Sequence, residues 1–322
     1  MSDNVAKDIQ NTVDQVAVGA AWCQWGSLTS MSIQPGPRRA TSVVDPEALI
    51  LLSLAFRERE RRLEDLLLGW AGTGSRLTSV QRMLSVMSDF PEDTQQRVGD
   101  WAFQSAEAGD RRWRKLVRDP LPGTQLRRKP WGPLEFRGGA SLMLRLRAGF
   151  GVGAKSDVLC FLLGMSDPSA SIRSIANATK YTERTVRNAT EEMALAGFIE
   201  ALNGWPSEFR VDARAWAPVL SRDVEPGPLS GRGMPAWRSW APIFALLASL
   251  ASWAVEASEG GRSPYLQAST ARDIYERHNI ALRKAGVESM SSERLQNAKG
   301  AAFLEPFAQW VSEGAQWIEE HL

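Results

Sequence analysis

Arg184, Arg187 and Asn188 stand three and four residues apart, a spacing that gathers side chains on one face of a helix. An arginine fork can span the O6 and N7 acceptors of guanine, and an asparagine amide can do the same for adenine. Side chains of these types on one helical face therefore suit the major groove of double-stranded DNA. Arg173, Lys180 and Arg210 lie nearby and can meet phosphates, as can the hydroxyls of Thr182 and Thr185. Covalent chemistry has fewer candidates. The run Gly149-Phe-Gly-Val-Gly-Ala154-Lys155-Ser156 approaches a phosphate-binding loop. However, Ala154 stands where the second glycine belongs, and no apolar strand ending in Asp follows to hold magnesium. His278 and His321 have no cysteine nearby and no zinc-ligand spacing. With no acid, base and nucleophile converging, the chain reads as a non-enzyme that needs neither cofactor nor metal.

The elements that would present these residues run from Gly153 to Val211. Val158, Leu159, Phe161, Leu162 and Met165 recur at helical spacing over Lys155 to Met165, and Asp167, Pro168 and Ser169 break the pattern. Ser171 is an N-cap for a two-turn helix with Ile172, Ile175 and Ala176 inward and Arg173 outward. Ala178 to Tyr181 makes a tight turn, and Thr182 caps a third helix whose Val186, Ala189, Met193 and Ala196 face the core. Gly197 closes that helix. Phe198 to Leu202 alternates as a strand, Asn203-Gly204 signals a hairpin, and Glu208 to Val211 returns. A generic three-helix core with a hairpin would show the same amphipathic pattern; the order short helix, short turn, longer helix, hairpin points more narrowly to a helix-turn-helix with a wing.

This segment, with "MALAGFIEAL" as the end of a recognition helix entering the first wing strand, resembles the winged-helix regulators of bacteria, including the multiple-antibiotic-resistance regulator type. The resemblance covers about a fifth of the chain and implies DNA binding and often a homodimer. The hairpin tip departs from the pattern: Trp205 and Pro206 occupy positions where such wings often carry Arg or Lys. A winged helix joined to a larger additional domain is also similar to the antitoxins that accompany nucleotidyltransferase toxins of abortive-infection type. That likeness implies a protein partner, a toxin, and repression of its own operon.

Charge and composition set the remaining expectations. The net charge of 322 residues is only +1, so a nucleic-acid surface must come from uneven distribution. Between Arg111 and Arg147 eleven basic residues face two acids, with Trp113 and Trp131 among them. Arg127, Arg128 and Lys129 are its densest cluster. Basic residues interleaved with aromatics suit phosphate contact and base stacking; an extended linker whose tryptophans dock on a neighbour would look the same. From Glu256 onward ten acids outweigh seven bases, so this end is a poor phosphate surface. Asp45-Pro46-Glu47 is a helix start leading into a long helical run that breaks at Gly72 to Gly74. Ser75 to Met87 and Asp93 to Glu107 continue the helices. The expected fold class is mainly α: a winged helix-turn-helix domain (149–224) flanked by an N-terminal helical region (1–110), a basic connecting segment (111–148) and a C-terminal helical region (236–322). The N-terminus has neither the basic start nor the apolar run of a signal peptide. The 16 uncharged residues from Trp240 to Val255 are short for a bilayer. A cytoplasmic protein without a membrane role is expected. Cys23 and Cys160, both in apolar contexts, should pack as small hydrophobes.

Overall fold

The structure, a computed structural model, describes residues 2–28, 39–117, 134, 136, 138–220, 234–259, 263–287 and 292–322. It is mainly helical. The first five helices are α1 (Ser2–Leu28), α2 (Pro46–Phe56), α3 (Arg62–Thr73), α4 (Val80–Met87) and α5 (Glu92–Glu107). Helix α2 starts as its sequence predicts, with Asp45 accepting the Ala48 N–H at 3.1 Å and Pro46 at the first position. All eleven of its residues are buried, as befits a helix that is apolar on every side. The single run expected from Asp45 to Trp70 is instead two helices, because Arg57 to Arg61 cannot follow α2 into the interior. Arg59 turns out to Asp14 at 2.6 Å, and Arg62 pairs with Glu60 at 3.0 Å.

The C-terminal helices α11 (Trp240–Glu259), α12 (Pro264–Lys284), α13 (Ser292–Asn297) and α14 (Leu304–His321) do not stand apart from these. Helix α1 packs along α11 and α14, and α11 lies against α2. The two flanking regions therefore share one hydrophobic core, with Trp25, Trp70, Phe244 and Phe307 all fully buried. Trp25 meets Trp70 edge-on at 5.5 Å, and its indole N–H donates to Ser53 at 2.9 Å. Sequence periodicity identifies each apolar face but not which face it meets. Helix α11 is the one described helix with the length and composition to cross a membrane, and 72% of the 18-residue window that qualifies is buried inside the protein. Trp113, for which stacking on bases and docking on a neighbour were both open from the sequence, takes the second course and is a core residue. It is fully buried, at 4.5 Å and edge-on to Trp101 of α5.

Between these regions lies a smaller unit with its own core. It comprises α6 (Leu142–Phe150), α7 (Ala154–Gly164), β1 (Ala170–Ser171), α8 (Ile172–Thr179), α9 (Glu183–Leu195), β2 (Glu200–Leu202), β3 (Glu208–Arg210) and α10 (Ala213–Leu220). The three strands pair antiparallel in the order β1-β3-β2, with Phe209 opposite both Ala170 and Ala201. Ser171 and Thr182 cap α8 and α9 by accepting the N–H groups of Ser174 and Thr185, each at 3.2 Å. Gly197, at φ 75°, ends α9 in the left-handed region, which glycine enters without a Cβ clash; the Phe198 N–H then reaches back to the Met193 carbonyl.

Candidate nucleic-acid interface

Helices α8 and α9 are joined by a turn in which Lys180 adopts φ 61° and ψ 26°. The inward residues Ile175, Val186, Ala189 and Met193 are buried, and the opposite face of α9 points to solvent. Arg184, Arg187 and Asn188 are all exposed there, and Arg173 is exposed on α8. Among the described residues no ion pair engages Arg173, Arg184 or Arg187. On α9 the Cα–Cβ bonds of Arg184 and Arg187 tilt toward the helix N-terminus. Of its acids, Glu183 stands exposed in the first turn, while Glu191 and Glu192 lie toward the other end, where Glu192 pairs with Lys155. Thr182 and Thr185 hold the capping geometry together, their hydroxyls 2.9 Å apart.

The other expected contacts are placed differently. Lys180 is engaged internally, its Nζ 2.7 Å from Asp89 just beyond α4. Arg210 pairs across the hairpin with Glu200 at 2.6 Å. Arg127, Arg128 and Lys129, like Trp131, lie outside the described residues. In the run that approaches a phosphate loop, Lys155 is the partner of Glu192 and the Ser156 hydroxyl bonds the Gly151 carbonyl. Trp205 stands 97% exposed at the hairpin tip.

What orients this face is a buried ionic network that the sequence reading did not anticipate. Arg147, counted among the basic residues that could touch phosphate, is buried instead. Its side chain donates to Asp157 of α7 at 2.7 and 2.8 Å, to Glu47 at 2.7 and 3.1 Å, and to the Leu77 carbonyl at 3.0 Å. Arg82 of α4 reaches both carboxyl oxygens of Asp45 (2.5 and 2.6 Å) and Glu47 (2.5 Å). Its Nε donates to the carbonyl of Thr179, the last residue of α8, at 3.0 Å. Tyr181, in the turn before α9, donates to Asp157 at 3.0 Å and lies 3.3 Å from the Ser79 hydroxyl. The α8–α9 turn is thus held from inside by α4 and α7, and from its rim by the Lys180–Asp89 pair.

Burial alone would neutralise such groups, but their mutual charges oppose it. For Asp45 burial raises the pKa, yet the Arg82 charge and hydrogen bonds outweigh it and hold the carboxyl below its ordinary value. Both arginines are likewise kept protonated by the carboxylates, against the effect of burial. Burial, then the neighbouring Asp157 carboxylate, pushes Tyr181 up, so its hydroxyl remains a donor. The same two causes push the Cys160 thiol well up. Signals for the network were present but ambiguous. Asp45 and Glu47 read as ordinary helix-start residues, and only Asp157, a charge buried within the apolar helix α7, departs from its surroundings. Among the described residues no group of three His, Cys, Asp or Glu side chains could hold a metal ion. No protein-family model, no curated protein and no solved structure matches this chain.

Proposed function

We propose that the unit from α7 to β3 is a winged helix-turn-helix and that the protein is a sequence-specific double-stranded DNA-binding transcriptional regulator, acting as a repressor. The observation that carries this reading is the exposed row Arg184, Arg187 and Asn188 on α9, free of internal ion pairs and one tight turn after α8. Support also comes from the strand order β1-β3-β2, which sets a two-stranded hairpin beside the helix. The N-terminal turns of α9 enter the major groove in this arrangement, and Arg173 meets phosphate from α8. With Lys180 and Arg210 already paired to carboxylates, backbone contact rests on fewer charges than the sequence offers, so a shallow salt dependence follows. The test is a gel shift of the purified chain on DNA upstream of its own gene, against an unrelated duplex. Specific retention is expected, with Arg187→Ala weakening it by about 1–3 kcal/mol if that side chain spans a guanine edge. Equal retention on both duplexes, or unchanged affinity of the variant, overturns the assignment.

A further inference from the structure

The 3-10 turn Arg111–Leu116, which follows α5, carries Arg111, Arg112, Arg114 and Lys115 within six residues, all four exposed. The turn is fixed from below. Trp113 is fully buried against Trp101, and Arg112 holds Asp110 at 2.6 and 2.9 Å while donating to the Ser75 carbonyl at 3.0 Å. That last bond sets the exposed Arg76 beside the turn. Side chains three apart eclipse one another in a 3-10 helix, so Arg111 and Arg114 stand about 6 Å apart along the axis, inside the ~8 Å Debye length at physiological salt. Like charges this close repel, and an anion seated between them relieves the repulsion. We propose that this surface is a second nucleic-acid contact, one that grips the phosphate backbone of a duplex whatever its bases.

Three observations select that partner. In the same helical region Arg57, Arg59, Arg62 and Arg97 each pair with a carboxylate. Among the described residues no ion pair engages Arg76, Arg111, Arg114 or Lys115; of the nearest acids in the sequence, Asp110 is taken by Arg112 and Glu107 makes no ion pair. These cations are left for something outside the chain. The second observation is donor type: three of the four are arginines, whose planar forks span phosphate oxygens in pairs, and a backbone already held in place loses little freedom on contact. The third is position, and through it the choice of nucleic acid over an acidic peptide rests on the DNA-binding reading above. Ser75 leads to Ser79, whose hydroxyl lies 3.3 Å from that of Tyr181, next to the α9 cap Thr182. Four residues span at most ~14 Å. With the reach of the side chains at either end added, the basic turn lies within about one ~34 Å turn of duplex from the start of α9. A duplex seated on α9 is therefore long enough to reach it. The helix-turn-helix itself is short of such cations, because Lys180 and Arg210 are paired.

The test is the salt dependence of binding by the full chain to its upstream duplex and to an unrelated one, with and without Arg111→Gln, Arg114→Gln and Lys115→Gln together. The triple variant should weaken both duplexes alike. Its slope of log affinity against log salt should fall by about 0.9 for each phosphate contact removed, ~2–3 in all, leaving the shallow slope of the helix-turn-helix. All three side chains are exposed, so the fold should stand, which circular dichroism verifies. Arg111→Lys with Arg114→Lys keeps the charge and should keep the slope. An unchanged slope in the triple variant overturns this surface, as does a lysine variant that loses as much slope as the glutamine one. Polyglutamate that displaces the duplex as well as an equal charge of competing DNA also overturns it, marking an acidic protein as the partner. The two readings fail separately. A triple variant that still prefers its upstream duplex at an unaltered slope sinks this surface alone. A wild type that holds both duplexes equally, with a slope that falls in the triple variant, sinks the regulator and leaves this surface standing. Binding to neither duplex overturns both.

Discussion

Replacing Arg147 by methionine keeps the apolar stem and removes the guanidinium from the middle of the buried network. Five hydrogen bonds go with it, two to each of Asp157 and Glu47 and one to the Leu77 carbonyl. The loss is unequal for the two acids. Glu47 keeps Arg82 at 2.5 Å and the Ser79 N–H at 2.6 Å, whereas among the described residues Asp157 keeps only the Tyr181 hydroxyl at 3.0 Å. Stranding one member of a buried pair costs about 3–5 kcal/mol, a large share of the ~5–15 kcal/mol that holds a typical domain folded. Equilibrium unfolding in urea, followed by tryptophan fluorescence, should show a lower midpoint with an unaltered slope. The double variant Arg147→Met with Asp157→Asn should recover at least ~1 kcal/mol of that loss, because no unpaired carboxylate remains. A single-variant loss below ~1 kcal/mol, or a double variant that loses the sum of its parts, refutes the claim that the stranded Asp157 charge carries the penalty. The Tyr181 bond also ties this network to the start of α9. Arg147→Met should therefore weaken specific DNA binding even where the protein remains folded.

Two further perturbations follow from the same structure. Burial, reinforced by Arg277, pushes His278 down to about 4. The unfolded imidazole titrates near ~6.5, so the native state binds fewer protons in between. The stabilisation from keeping His278 neutral is whole above that value and is lost as pH falls toward 4, by on the order of 3 kcal/mol. His278→Gln should flatten the stability profile over this window, and an unchanged acid slope would rule the residue out as its source. At Gly164 an added Cβ would sit 2.8 Å from the Trp237 nitrogen and 2.9 Å from the Pro235 carbonyl oxygen. Both are backbone atoms, so the strand of chain that donates the Trp237 N–H to Gly164 at 2.7 Å must shift. Gly164→Ala should cost about 1–3 kcal/mol, and an unaltered thermal midpoint would show that this contact yields freely.

Elements whose signals are local were legible in the sequence. The caps Asp45, Ser171 and Thr182, the closing Gly197 and the Asn203-Gly204 hairpin each act within a few residues, and α2, α8, α9 and the β2–β3 pair begin or end where those signals lie. The outward row Arg184, Arg187 and Asn188 was legible too, since helical periodicity assigns faces without knowing what packs on them. Charge identity is equally local; charge placement is not. Arg147 belonged to a run of bases that looked solvated, and only packing reveals that it lies between Glu47, 100 residues away along the chain, and Asp157, 10 residues away. Trp113 and Lys180 were decided in the same manner, by Trp101 and Asp89. The sequence by itself therefore determined which segments coil, where the capped ones begin or end and which side chains face outward on α9. The tertiary structure alone decided that the two ends of the chain share a core and that a buried set of ion pairs orients the exposed helix. The physical reason is range: capping and periodicity are settled within one or two turns, whereas the cost of burying a charge is settled by whichever distant residue arrives to pair with it.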